Sequence, residues 1–130
     1  MSYYFNTTVK NVDFDGAVAR VTEELKKEGF GVLTEIDVKE TLKKKIDVDF
    51  KKYKILGACN PGFAHQALQA EDKIGVFLPC NVIVEENDDG RIEVSAVDPV
   101  ASMSSVKNEN LGELAEKVRE KLKKVIANLS

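Results

Sequence analysis

The sequence predicts an α+β domain: an antiparallel or mixed sheet with two long helices packed on one face and short extra helices between the strands. Three observations carry this expectation. Two long amphipathic helical stripes stand near opposite ends of the chain, at residues 13–29 and 110–129. Segments that alternate at period two precede the first stripe and fill the space between the two. Two of these segments, 80–86 and 91–97, flank a short turn, which sets them antiparallel. The 130 residues make one domain, 1–130, large enough to bury a core.

The first strand is residues 2–10. Tyr3, Phe5, Thr7 and Val9 fall on one face, and Tyr4, Asn6 and Thr8 on the other. Asp13 then offers a helix N-cap, Phe14, Ala17, Val18, Val21 and Leu25 follow at helical spacing, and Gly29 supplies the stop. Residues 30–38 alternate again, with Phe30, Val32, Thr34 and Ile36 on one face. Asp37 and Glu40 form a capping pair for a short helix over 38–46, whose stripe is Val38, Leu42 and Ile46.

Residues 52–59 read as a strand that is apolar on both faces after Ile55. That pattern predicts burial on both sides, or one face covered by a partner. Asn60 caps the next helix and Pro61 takes its first position, where a missing N–H costs nothing. Phe63, Ala64, Ala67 and Leu68 give it a small apolar face suited to close packing. Residues 74–78 form a buried segment of unassigned type. In the hairpin, a three-residue loop of Asp88, Asp89 and Gly90 sets Val84 against Val94, Val82 against Ala96 and Cys80 against Asp98. Loops of two or four residues pair Val84 with polar Ser95 or Glu93, so the apolar match selects three. Asp98-Pro99 closes the strand, and 99–109 reads as a loop. The last helix carries Leu111, Leu114, Ala115, Val118, Leu122, Val125, Ile126 and Leu129 on one stripe, capped by Asn110 with Glu113 at the capping-box position.

Composition excludes several functions. A net charge of −3, from 19 basic and 22 acidic side chains, argues against a nucleic-acid partner. The N-terminus shows no signal-peptide pattern, and the longest apolar run is too short to span a bilayer, so the expectation is a cytoplasmic protein with reduced cysteines and no membrane partner. Seven lysines crowd residues 39–54, a segment that reads as a solvated face on a short helix. Glu85, Glu86, Asp88 and Asp89 read as a solvated hairpin tip, without the spacing of a calcium loop. Phosphate-binding loops, nucleophile elbows and zinc-protease motifs are all missing.

The chemistry-bearing residues collect in residues 54–86. This stretch holds two of the three prolines, both cysteines, the one histidine and a repeated Cys-Asn pair. Cys59 and Cys80 read as a thiolate nucleophile, a redox pair or two soft metal ligands; alternatively each is a small buried hydrophobe. Cys59 directly precedes a helix N-terminus, where the dipole favours a thiolate. His65 is a third ligand candidate and Asp98 a fourth, for a site of the kind that holds zinc. Asn60 is explained by capping. Asn81 is expected to be a buried amide in an apolar strand, needing hydrogen-bond partners or pointing into a pocket or a subunit interface.

The blocks YKILGACNPGFAHQAL and IGVFLPCNVIVEE, followed by a short hairpin and VDP, resemble the domain of unknown function 302 family, together with GFGVLTEIDVKETLKKKIDVDF upstream. The resemblance covers nearly the whole chain. It implies β-α-β-β-β-β-α organisation, similar to the TATA-box-binding-protein-like group, and a homodimer. It implies no established activity and supplies no catalytic residue. An association of some members with sulfur metabolism points toward the cysteines, whereas other members lack cysteine at these positions, which weighs against a thiol mechanism for the fold as a whole.

Together these readings favour a cytoplasmic small-ligand or soft-metal binding domain over an enzyme. Its ligand contacts are expected from Cys59, Asn60, His65, Cys80 and Asn81, and its metal set is Cys59, His65, Cys80 and Asp98. The alternatives are a thiol-dependent redox enzyme or sensor using Cys59 and Cys80, and a purely structural or interaction protein.

Overall fold

A computed structural model describes residues 2–130. The elements run β1 (Tyr4–Val9), α1 (Phe14–Lys27), β2 (Gly31–Asp37), α2 (Val38–Ile46), β3 (Tyr53–Cys59), α3 (Pro61–Ala70), a 3₁₀ segment (Asp72–Phe77), β4 (Cys80–Glu86), β5 (Ile92–Val97), α4 (Pro99–Ser102) and α5 (Glu109–Leu129). The sheet has five strands in the order β1-β5-β4-β3-β2, and every neighbouring pair is antiparallel. Strands β2 to β5 form a meander. β1 stands at the far edge from β2, so α1 must cross the whole sheet to connect them. α5 returns over the same face. The fold is thus the expected β-α-β-β-β-β-α arrangement, with an antiparallel sheet.

Local chemistry accounts for most of these elements. Asp13 caps α1 by accepting from Gly16 N at 2.7 Å, and Asp37 caps α2 by accepting from Glu40 N at 3.0 Å. The hairpin has the predicted register: Val84 pairs with Val94 and Val82 with Ala96. Gly90 adopts φ +86°, which only glycine takes at little cost. Phe14, Ala17, Val21 and Leu25 of α1 and Leu122, Val125, Ile126 and Leu129 of α5 are buried. They pack in one core with Leu56, Ala58, Val82, Val84 and Val94 from the sheet.

Five local expectations are corrected. A bulge between Val32 and Thr34 breaks the alternation of β2. Val32 therefore lies opposite core-facing Ala58, whereas Thr34 and Ile36 join Gly57 and Ile55 on the other face. The stripe of α2 meets no core: none of its residues is buried, and Ile46 is 63% exposed. The segment after α3 is only partly buried, because its 3₁₀ turn sends Ile74 inward and leaves Val76 82% exposed. Residues 99–109 are not a plain loop: Pro99 to Ser102 form α4, and Met103 is buried. The cap of α5 is Asn108 rather than Asn110. Its Oδ1 accepts from Leu111 N at 3.2 Å while its Nδ2 donates to Ala70 O at 2.8 Å, so one amide serves both helices.

A second, smaller cluster of Ala67, Ile74, Met103, Leu111 and Ala115 lies where α3, the 3₁₀ segment and α4 meet the first half of α5. The two clusters leave a space between them. No helix is long and apolar enough to cross a membrane among the described residues.

Candidate functional site

That space is an apolar cavity of about 310 Å³. Its floor is the end of the sheet, with Ala58 and Cys59 of β3 and Cys80 of β4. One wall is α3, through Phe63, Ala64, Ala67 and Leu68, and the facing wall is α5, through Leu111, Leu114, Ala115 and Val118. Phe30, Leu33, Leu78, Pro79, Pro99 and Met103 complete the lining, and Asn60 supplies its one amide. The Leu78-Pro79 bond is cis. The small face of α3 packs closely at Ala67, which is buried in one cluster with Leu111 and Ala115 of α5, while the partly exposed Ala64 borders the cavity.

The sequence brings these groups together in a definite way. Ala58 and Cys80 are cross-strand partners, so Cys59 stands one residue along from Cys80 on the adjacent strand, and both cysteines border the cavity. Cys59 is partly exposed and Cys80 is buried; both are free thiols. Burial, and secondarily the neighbouring Cys59, pushes the Cys80 thiol up to about 11. Cys80 is therefore a neutral, weakly polar wall group at physiological pH.

Asn60 is held by two long hydrogen bonds. Its Oδ1 accepts from Phe63 N at 3.4 Å, and its Nδ2 donates to Glu28 O at 3.5 Å. It caps α3 while reaching toward the end of α1. Bonds of this length are weak, so the amide can turn toward a better partner at small cost.

The remaining candidates lie elsewhere. His65 is exposed on α3 and is not part of the cavity lining. Asp98 is buried, but both carboxylate oxygens are engaged: Oδ1 caps α4 by accepting from Val100 N at 3.0 Å, and Oδ2 accepts from Arg119 Nε at 3.2 Å. The Arg119 guanidinium also sits 5.6 Å from the Phe5 ring centroid, so Asp98 belongs to a cap and ion-pair assembly. Asn81 is not the buried amide expected of it; it is exposed on the sheet face opposite the helices. Among the described residues, no group of three or more His, Cys, Asp and Glu side chains is arranged to hold a metal ion.

Several lysines of the 39–54 segment are held in ion pairs or hydrogen bonds. Lys43 pairs with Asp47 at 3.0 Å, Lys44 with Glu40 at 2.7 Å and Lys51 with Glu85 at 2.6 Å, and Lys39 donates to Phe50 O. At the hairpin tip, Asp89 accepts from Arg91 N, which spends that carboxylate on the turn.

Comparison with known proteins adds the lineage. The family model described as "Domain of unknown function DUF302" matches residues 5–129. The chain is also similar to an uncharacterized conserved DUF302 protein from Bacillus stearothermophilus, known from a crystal structure. The two share 27% sequence identity over 100% of both chains, with a TM-score of 0.91. No protein of curated function matches the chain.

Proposed function

We propose that this chain, which belongs to the DUF302 family, is a binding domain for a small, largely apolar molecule held in the cavity between α3 and α5. The observation that carries the reading is the cavity itself. Small-molecule sites are typically about 300–1,000 Å³, mostly apolar, with few polar groups to fix orientation. At about 310 Å³ this one lies at the lower end of that range. An engineered apolar cavity of about 150 Å³ takes up benzene, so the present volume suits one or two rings or a short branched chain.

Each wall residue then has a role. Phe63, Leu114 and Met103 give the ligand apolar contact, and Ala64, Ala67 and Ala115 leave room for it. Asn60 turns its weakly held amide to a carbonyl or hydroxyl of the ligand. Cys80 stays protonated and acts as a small hydrophobe. Cys59 is the more accessible thiol, so any covalent chemistry would begin there rather than at Cys80. Zinc and the set Cys59, His65, Cys80 and Asp98 gain no support from this arrangement, since His65 lies outside the lining and Asp98 is engaged.

The test is titration with N-phenyl-1-naphthylamine, an uncharged apolar fluorophore, against the native chain and Ala64→Phe. The native chain should bind one equivalent saturably. Filling the cavity with a phenyl ring should weaken binding at least tenfold while the thermal unfolding midpoint stays the same or rises. No saturable binding, or equal binding by the filled variant, would overturn the reading.

A further inference from the structure

Strand alternation gives the sheet a second face, turned away from the two long helices. Across it Asn6 stands opposite Ser95, Ser95 opposite Ile83 and Glu93 opposite Glu85, and Tyr53 of β3 pairs with Glu85 in turn. These residues line an open cleft of about 520 Å³, distinct from the apolar cavity on the helix side. Two of its walls are aromatic. Tyr53 forms one. Tyr3 and Tyr4, whose ring centroids lie 5.1 Å apart, form the other at the start of β1.

We propose that this cleft binds a small amphipathic monoamine, with its ammonium at Glu93, its apolar or aromatic body between the tyrosines, and a hydroxyl or carbonyl oxygen at Ser95. Three observations select that ligand.

Charge is the first. Like charges directly opposite on neighbouring strands cost stability, yet Glu85 and Glu93 hold that relation across β4 and β5. Lys51 answers one of them, with its Nζ 2.6 Å from Glu85. Glu93 receives the neutral amide of Asn87. No lysine or arginine lines the cleft among the described residues. Two carboxylates against one ammonium leave a single negative charge, which matches a monocation and repels an anion.

The second is a buried hydroxyl on the floor. Ser95 is only 8% exposed and lines the cleft. Its Oγ accepts from Asn6 Nδ2 at 2.9 Å, and among the described residues nothing accepts its own O–H. That donor is left for an oxygen of the ligand. Ser95 stands two residues from Glu93 along β5, roughly 7 Å at about 3.3 Å per residue. One aromatic ring on a short chain covers that span.

The walls are the third. A tyrosine face attracts an organic cation within about 6 Å of the ring centroid, and the attraction grows as water is excluded. Burial, and secondarily the Glu85 carboxylate, raises the Tyr53 phenol above its ordinary value, so the ring beside the acids stays neutral. Ile83 and Val97 are partly exposed between the walls and give the body apolar contact. A bare metal ion needs several oxygen ligands at once, and the cleft offers rings where they would stand.

The inference is independent of the apolar-cavity reading, because the two sites lie on opposite faces of the sheet. It is tested by isothermal titration of the full chain with three probes: tyramine, tyrosol, in which a hydroxyl replaces the ammonium, and phloretate, in which a carboxylate does. The native chain should bind one equivalent of tyramine saturably, tyrosol about tenfold more weakly or worse, and phloretate more weakly still. Glu93→Gln should weaken tyramine about tenfold or more and leave tyrosol unchanged. Its thermal midpoint should stay the same or rise, because the opposed like charges are gone. Should Glu93→Gln fail to fold, Tyr4→Ala decides: it removes an exposed ring and should weaken tyramine about threefold or more. Ala64→Phe, which fills the other cavity, should leave tyramine binding intact. The inference is overturned by a native chain that binds no tyramine saturably, or that binds tyrosol or phloretate as tightly. It is equally overturned if tyramine binding is indifferent to the variants on this face, or is lost in Ala64→Phe.

Discussion

Helix α5 takes part in two different environments along its length. Its second half, Leu122 to Leu129, packs on α1 and the sheet, with Leu122 and Val125 at 0% exposure. Its first half, Leu111 to Val118, faces α3 across a cavity. Hydrophobic periodicity is equally regular in both halves, so the pattern does not distinguish them. Side-chain size does. Opposite the second half stand Val21, Leu25, Leu56 and Val84, which interdigitate to fill the space. Opposite the first half, Ala67 packs on Leu111 and Ala115, but Ala64 is too small to fill the space that Leu114 and Val118 border. One half of the helix holds the fold and the other forms the wall of a pocket.

The sharpest way to break this comparison is to remove bulk from the filled half. Leu122→Ala leaves a hole in a core with no room to relax, and should cost about 3–5 kcal/mol. Urea denaturation with an unchanged m-value measures it. A loss below about 1.5 kcal/mol would mean that this half is as loosely filled as the other, and the distinction would fail.

Cys80 sits at the boundary, in the dense core and on the cavity floor, and its thiol reports which side governs it. Burial raises it from 9.0 to about 11. The folded state thus holds the proton more tightly than the unfolded state does. The associated stability is fully present below about pH 9 and is lost as pH rises toward 11, by on the order of 2–3 kcal/mol. Cys80→Ala should flatten that alkaline slope when unfolding free energy is followed from pH 8 to 11. A slope that persists in the variant would assign it to other groups, and would place Cys80 on the solvated side.

These same residues show what could be read in advance. The two long stripes and the hairpin register were legible because each depends on spacing alone: a three-residue loop is the choice that puts Val84 opposite Val94. The bulge in β2 was not, since one extra residue between Val32 and Thr34 leaves a short alternating run looking regular. The choice of Asn108 over Asn110 turns on a bond to Ala70, a contact that local sequence does not contain. The cavity was harder still. Cys59, Asn60 and Cys80 were picked out for their chemistry, and they do border it. Leu114 and Ala115 were not picked out, because each looks like an ordinary core residue until the facing helix is known, and Met103 was not because it falls in a stretch that reads as a loop. The only available signal was the run of small residues on α3, and small residues fit either a tight contact or a gap. Asn81 was misjudged because strand alternation assigns it to a face, but only the positions of both long helices decide which face is covered.

The smallest expected effect is the most discriminating. Leu114 is partly buried and packs at the edge of the second cluster, with its side chain on the cavity wall. Truncating it removes the same atoms as Leu122→Ala, yet the two costs should differ severalfold. In the dense core a new void forfeits contacts on every side, whereas at the cavity wall the side chain already lacks partners on one side. Leu114→Ala should therefore cost about 1 kcal/mol or less by denaturation, near the low end for a partly exposed leucine. It should also enlarge the space opposite Ala64 and shift binding toward bulkier apolar probes. If Leu114→Ala instead costs as much as Leu122→Ala, the wall is a packed core element, and the gap beside it is a packing defect with no ligand to hold.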